Sequence, residues 1–505
     1  MIRYVGIDLH KRLLVAHFLD EQGDTVTTAR CDPVTAQTLE QFAKVHLQPG
    51  DQLALEVTTH CWAVVRFLLP SVARIVVSNP MATKAIASAK VKTDKVDAAV
   101  LANLLRLDYL PSVWLPSPEQ SLLRELTARR TRLVNDRTKL ICRIRTALAM
   151  RLIDCPCELA EPRGWQWLED CELDEQGRLL VDSDLRLLKA VQAEIELLEK
   201  QLAQQTWQDD AVKLLMTLPG VSYKTAATIV AAIGDIQRFP APERLASYFG
   251  LTPSTHQSAG KCYHGKITKA GNVLARTALI QAAHSAARDP GPLGHFFAKT
   301  KRRKNYNVAV TATARKLAML CWQLLSTGKP YRYAKPSSVA AKLAKLRVAG
   351  SGVRRKGGLG PGVDPRVARP VEEQHQRRTG SLAEVLAGEQ VAEPDGLKPG
   401  ERKMLESIGS LEYYESLQRG SVRRKSRGRR GGAAEAAACA SPPEVAVTGR
   451  GGAEPLASSL EAHPQRHRCA RLCSLVDRHA LRPGVSDRQA APAKAPQAGP
   501  FLTSS

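Results

Sequence analysis

Two stretches, YVGIDLH (Tyr4–His10) and KTDKVDAAVLANLL (Lys92–Leu105), decide how this chain reads. The first is an apolar run that closes on an acid, Asp8. A second apolar run, LALE (Leu53–Glu56), closes on Glu56. In the later stretch Asp94 and Asp97 stand three apart where a helix begins, so they share one helix face. An acid ending an apolar strand needs a reason, because carboxylates are rarely buried without a partner. Two strand-end acids and a helical pair gather carboxylates as metal-assisted phosphoryl chemistry requires. Hard oxygen ligands of this kind favour Mg²⁺ or Mn²⁺. The bland reading of each acid is a solvated carboxylate, or for Asp94 and Asp97 a favourable charge at a helix N-terminus. Lys11, Lys90, Lys92 and Lys95 surround the four acids and suit phosphate contacts.

Working outward, residues up to about Pro111 alternate between strand and helix patterns. YVGIDLH, LLVAHFLD and TVTTARC read as three successive strands, and helix, strand, helix, strand and helix follow. That order predicts an α/β sheet domain over 1–112, and it is the order of the ribonuclease-H-like superfamily. Residues 113–206 turn helical. Leu126, Leu133, Leu140, Ile144 and Leu148 form one stripe, and Leu185, Leu188, Val191, Ile195, Leu198 and Leu202 a second. Steps of three, four and seven predict a coiled-coil linker, with DCPCELAEPRGWQW (154–167) as a loop or short insertion. Arg124, Arg129, Arg130, Arg132, Arg137, Lys139, Arg143 and Arg145 make the first of these helices one-signed, which suits a polyanion.

A third, mainly helical unit spans 207–336. LPGVSYKTAATIVAAIGD (218–235) has the pattern of a helix-hairpin-helix, which would turn the backbone N–H groups at Gly220 and the next helix toward a phosphate. GLTPSTHQSAGKCYHGKITKAGNVLAR (250–276) reads as a flexible loop of glycines, hydroxyls and lysines. Ser258 and Ser254 are both candidate nucleophiles there, and composition does not choose between them. Residues 337–505 are rich in Gly, Ala, Arg and Pro and predict a disordered low-complexity tail outside the functional body. Within it, SVRRKSRGRRGG (421–432) is a basic run, and His463, His467, Cys469 and Cys473 match no zinc pattern.

The chain has 505 residues and a net charge of +24. From Ser338 onward 28 Lys and Arg face 17 Asp and Glu, which leaves 45 against 32 for the body. The folded part is therefore basic in its own right and calls for a polyanionic partner, nucleic acid before a membrane surface. Eleven cysteines without framework spacing fit a reducing compartment. Nothing resembles a signal peptide or a membrane span, so a cytoplasmic, nucleoid-associated protein is expected.

GIDLHK, LALEVT and KTDKVDAAVLA resemble the acidic signatures of DEDD-type insertion-sequence transposases of the IS110/IS1111 group. LMTLPGV, ASYFGLTP and SAGKCYHGKITKAGNVLAR resemble the second domain of the same group, in the right order, over Met1 to Pro336. The resemblance implies a RuvC-like N-terminal domain whose tetrad is Asp8, Glu56, Asp94 and Asp97. It implies a helical linker and a C-terminal transposase domain whose serine maps to Ser258, with Gln257 and Ala259 departing from the usual neighbours. It further implies serine attack on a DNA phosphate, a composite site assembled in a dimer or tetramer, and a guide RNA that pairs with element and target DNA.

Other functions compete. A RuvC-like junction endonuclease would need the acids and no serine. A sugar kinase of the actin-like class also opens on a GID strand but wants a glycine-rich phosphate turn, where this chain has Leu9-His10-Lys11. A non-catalytic DNA-binding protein would need only the hairpin and the basic helices.

Overall fold

The computed structural model describes residues 2–86, 93–258, 260–352, 376–419 and 421–424. The chain divides into two compact units, one formed up to Thr131 and again from Leu198, the other from Arg132–Leu197.

The first unit opens on a six-stranded mixed sheet of β1 (Tyr4–Leu9), β2 (Leu14–Leu19), β3 (Thr25–Cys31), β4 (Gln52–Glu56), β5 (Arg74–Ser78) and β6 (Ser112–Val113). Their order is β3-β2-β1-β4-β5-β6. Strands β1, β4 and β5 run parallel, while β2, β3 and β6 are antiparallel to their neighbours. One end of the β1–β4 pair is held by Arg3, whose guanidinium donates to both Asp51 oxygens at 2.8 and 2.7 Å, Asp51 being fully buried.

The period-two alternation of a strand sends its side chains to opposite faces. On one face Val5, Ile7, Leu9, Leu53, Leu55 and Val77 pack with Phe42 of α1 (Ala36–His46) and Val64, Val65 and Leu68 of α2 (Cys61–Leu68). On the other, Ala54 and Val76 pack with Leu101 and Leu105 of α4 (Asp94–Arg106). Helix α3 (Pro80–Ile86) lies between β5 and α4 in sequence. Gly6 sits where α4 crosses β1. A Cβ there would stand 1.9 Å from the Ala98 carbonyl oxygen and 2.5 Å from the Ala102 nitrogen.

The C-terminal part of this unit is built around α13 (Tyr306–Thr327), which buries Ala309, Val310, Ala314, Leu317, Ala318, Cys321 and Leu324. Around it pack α8 (Asp210–Leu215), α9 (Tyr223–Ile233), α10 (Pro242–Tyr248), α11 (Val273–Ala286) and α12 (Pro292–Arg303). Trp114 links the sheet to this core. Its ring lies against Gly234, where a Cβ would be 2.3 Å away, and under the Arg238 guanidinium at 4.9 Å. Gly220 of the hairpin is also a packing glycine, with φ +78° and the Ala282 oxygen 2.3 Å from any Cβ.

The second unit holds the far part of α5 (Pro118–Ala149), α6 (Pro162–Asp170) and most of α7 (Glu175–Thr206). Leu140, Ile144 and Leu148 share a core with Val181, Leu185 and Leu188. The stretch expected to be a loop contributes α6 to that core through the buried Leu159 and Leu168. Trp165 anchors it by donating to the Leu159 carbonyl at 3.0 Å.

The described residues of 337–419 depart from the expectation of a disordered tail. Helix α14 (Pro336–Ser351) buries Val339, Leu343 and Leu346 in the C-terminal core. Lys342 is drawn in with them and donates to the Leu218 and Val221 carbonyls at 2.9 and 3.0 Å and to that of Met216. Burial lowers its pKa to about 8. Short helices at Leu382–Ala387, Pro399–Ser407 and Leu411–Arg419 follow, burying Leu382, Leu386, Leu405 and Leu417. Arg332–Glu401 and Arg347–Glu389 pairs, at 2.6 and 2.7 Å, tie these helices to the core. Polar composition hid them because few leucines per helix suffice when a large core already exists. The His/Cys cluster at 463–473 lies outside the described residues, as does the basic run beyond Arg424.

Two outcomes follow from this packing. Gly6→Ala forces α4 off the sheet and should cost about 1–3 kcal/mol or more in denaturant unfolding. Leu405→Ala should cost roughly 2–4 kcal/mol in the same measurement, whereas a dispensable tail would leave the midpoint unmoved.

Candidate active site

Asp8 and His10 stand two apart at the end of β1, so they share the sheet face that Gly6 opens to α4. The His10 N–H donates to the Leu13 carbonyl at 2.8 Å in the turn to β2, which fixes its backbone. Helix α4 begins beside them because Thr93 caps it, its hydroxyl accepting from the Val96 N–H at 3.3 Å. Asp94 and Asp97 fall in the first turn, where the helix dipole favours negative charge.

His10 Nε2 lies 3.1 Å from Asp8 Oδ2 and 3.4 Å from Asp94 Oδ1. One donor atom from each of Asp8, His10 and Asp94 falls within 4.8 Å of the others. Asp8 is the most enclosed, its side chain 21% exposed against 48% for Asp94. Burial raises the Asp8 pKa, His10 pulls it down, and the charges of Asp94 and Asp97 push it up again. Asp97 is thus part of the same electrostatic cluster.

Glu56 ends the neighbouring strand. The parallel register pairs Ile7 with Leu55, and the next residues, Asp8 and Glu56, end their strands side by side. Ala54, two residues before Glu56, packs toward α4, which puts Glu56 on the same face. Glu56 pairs across the sheet with Ser78, whose buried Oγ has no hydrogen-bond partner among the described residues. Asp8 and Asp94 therefore meet near the end of β1, Asp97 acts on Asp8 electrostatically, and Glu56 closes the neighbouring strand on the same face. His10 and Ser78 were not predicted. The signal for His10 was its spacing of two from Asp8 on a strand.

Ser258 stands elsewhere. The expected flexible loop is a β-hairpin, β7 (Pro253–Ser258) and β8 (Lys261–Ile267), and Ser258 is the last residue of its first strand. Gly260 supplies the turn with φ +80° and open space around it. Lys261 pairs directly opposite Ser258, and His256 opposite Tyr263, so these four share one face. Ser254 lies near the base, its Oγ 2.4 Å from where a Gly265 Cβ would be. Among the described residues Ser258 makes no hydrogen bond to any of the four acids.

Six of the eight cations expected on α5 have partners, while Arg129 and Arg132 are exposed with no ion pair among the described residues. Arg124 donates to the Ala231 and Ala232 carbonyls, and Arg130 to Glu199. Arg143 pairs with Asp184, Arg145 with Glu158, Lys139 with Asp136, and Arg137 donates to Gln192. Exposed cations without an ion pair among the described residues also gather at Lys301, Arg302, Arg303 and Lys304, where α12 turns into α13. Lys11 and Lys95 are exposed, and Lys90 and Lys92 lie outside the described residues.

Residues 5–150 match a family model for DEDD-type IS110 transposases, and residues 212–297 match the model described as Transposase IS116/IS110/IS902 family. Two separate segments of this chain thus match models of the IS110 family of insertion-sequence transposases. Asp8, Glu56, Asp94 and Asp97 lie in the first matched segment, and Ser258 in the second. A "Probable family 20 transposase" of Pseudomonas aeruginosa is 26% identical over 65% of this chain and 98% of its own length. The "Transposase for insertion sequence element IS1111A" of Coxiella burnetii is 27% identical over 66% of this chain and 92% of its own. A "Pilin gene-inverting protein" of Moraxella bovis is 23% identical over 65% of this chain and 97% of its own. Transposases act on DNA, and a DEDD family implies a divalent metal. The donor set here fits one, since enclosed carboxylates that repel one another are stabilised by a cation between them. Among the described residues, no helix of this transposase is long and apolar enough to cross a membrane.

The raised Asp8 pKa means that the fold binds its proton more tightly than the unfolded chain does. Its stability contribution is complete below the ordinary carboxylate range and is lost as pH rises through the raised value. With chelator present at neutral pH, Asp8→Asn should therefore melt several degrees above the wild type.

Proposed function

We propose that this transposase cuts and rejoins DNA at the ends of an insertion element and at its target, through a serine-linked intermediate. Asp8, Glu56, Asp94 and Asp97 would hold Mg²⁺ or Mn²⁺. The observation that carries the reading is the meeting of Asp8 and Asp94 where α4 crosses β1, inside the segment that matches DEDD transposases. The mixed sheet order supports a RuvC-like assignment for 1–112, with 113–206 as the helical linker and 207–336 as the transposase domain.

When bound, the metal supplies Lewis acidity to the phosphoryl oxygens and acidity to a coordinated hydroxyl. Ser258 Oγ attacks phosphorus, the phosphodiester bond to the leaving strand breaks, and that strand departs with a free hydroxyl. Attack by a strand-end hydroxyl on the phosphoserine reverses the step and restores Ser258, so rejoining needs no ATP. Lys261, paired opposite Ser258, lends positive charge where the phosphate must sit.

The location of Ser258 on a hairpin in one matched segment and of the acids in another supports a composite site in a homo-oligomer, dimer or tetramer, with hairpin and acid cluster supplied by different subunits. An exposed two-stranded ribbon is marginal in water, which supports its having a docking partner. The Lys301–Lys304 patch supports backbone contact with DNA. A guide RNA pairing with element and target is part of the same reading. It rests on the family resemblance and on the basic balance of the folded body. DNA as substrate places the protein at the nucleoid.

The position of Ser258 also favours a second reading, a metal-dependent junction endonuclease that hydrolyses without a covalent intermediate. Incubation of the protein and its co-expressed RNA with element-flanking DNA and Mg²⁺, followed by denaturing electrophoresis, separates the two. The serine mechanism predicts a protein–DNA adduct that Ser258→Ala and Asp8→Asn each reduce at least about 10³-fold. Strand cutting that persists in Ser258→Ala would establish the hydrolytic enzyme.

A further inference from the structure

The metal reading leaves one side chain at the acid cluster without a role. His10 is exposed to 54%, so it is not a core histidine held by packing. Its Nε2 bridges Asp8 and Asp94, at 3.1 and 3.4 Å. Its backbone is pinned by the bond to Leu13, and its spacing from Asp8 holds it on the α4 face. A nitrogen so placed competes for whatever cation the carboxylates attract. The simplest other role for an imidazole between two carboxylates is to donate hydrogen bonds to them, which leaves the coordination sphere all-oxygen.

We propose that His10 is a nitrogen ligand of the divalent ion held by Asp8 and Asp94, giving this transposase a mixed oxygen–nitrogen site that takes Mn²⁺ in preference to Mg²⁺. The inference rests on the metal site proposed above. Carboxylates alone form the hard-oxygen set that suits Mg²⁺. Magnesium gains little from imidazole, whereas transition ions gain affinity from it in the order of their softness. Neutral imidazole provides the lone pair, and no covalent or redox step is involved. Each carboxylate retains an oxygen for the ion or for a hydrogen bond.

Mn²⁺ alone serves as the probe, on the full-length protein. Pulsed electron paramagnetic resonance of the Mn²⁺-loaded protein should show ¹⁴N coupling. The signal should become a ¹⁵N pattern in wild-type protein grown on ¹⁵N-histidine, a control that needs no substitution. His10→Ala should abolish the coupling, and His17→Ala, on β2, should leave it in place. Calorimetry should show Mn²⁺ affinity falling on the order of tenfold or more in His10→Ala, with Mg²⁺ affinity changing about threefold or less.

Mn²⁺ that binds the wild type and is lost in Asp8→Asn, yet shows no nitrogen coupling, would overturn the role of His10 and leave the carboxylate site standing. Nitrogen coupling that persists in His10→Ala would also overturn it, assigning the ligand to another histidine. Mn²⁺ binding that Asp8→Asn does not weaken would remove the metal site and His10 with it.

Discussion

The contact of α4 with β1 across Gly6 is the constraint on which the candidate site depends. With no Cβ in the way, the backbone of α4 rests on the strand itself, near enough that any side chain would meet the Ala98 carbonyl. That approach delivers the first turn of α4 to the end of β1. Asp94 and Asp97 then face Asp8 and His10, while Leu101 and Leu105 bury against Ala54 and Val76 lower on the same face. Apolar burial along one stretch of the helix thus holds like charges together at its start. Folding encloses Asp8 and sets it near Asp94 and Asp97, and its pKa is raised first by that burial and then by their charges. A site strained in this way is ready for a cation.

Charge elsewhere follows the opposite logic. The arginines of α5 look like a nucleic-acid face in one dimension, yet most meet a carboxylate or a carbonyl once the chain is folded. The cations at Lys301–Lys304 look like the polar end of an amphipathic helix and form a run that faces solvent. Local charge density is thus a poor guide to available charge. Long guanidinium side chains reach partners far away in sequence, as Arg124 does with Ala231.

The readable part of this fold was the part written in local periodicity. Apolar strand patterns located five of the six strands, β1 to β5, and the acids marked the ends of two of them and the start of α4. The steps of three and four located α5 and α7. What escaped was structure whose signal is weak locally and whose stability is supplied from afar. The β7–β8 hairpin has polar strands with Gly260 between them at φ +80°, and without apolar alternation those strands read as loop. The helices between Leu382 and Arg419 carry only a few leucines each and gain their burial from a core made by other elements. His10 escaped because a lone histidine beside a strand-end acid is unremarkable until a helix brings a second acid to it.

By itself, the sequence determined the chemistry available to this chain: four acids at the ends of regular elements, serines in a stretch rich in glycine and lysine, and an excess of positive charge. Motif order was enough to indicate the family, because the acids and the serine recur in fixed relation to apolar runs. Tertiary structure alone decided which of these groups meet. Register set Ile7 beside Leu55, so that Asp8 and Glu56 follow on neighbouring strands, the glycine crossing brought Asp94 to Asp8 and His10, and Ser258 came to lie on a hairpin, a different element from the acids. Distances between residues ninety positions apart are set by packing, and packing is a property of the whole core.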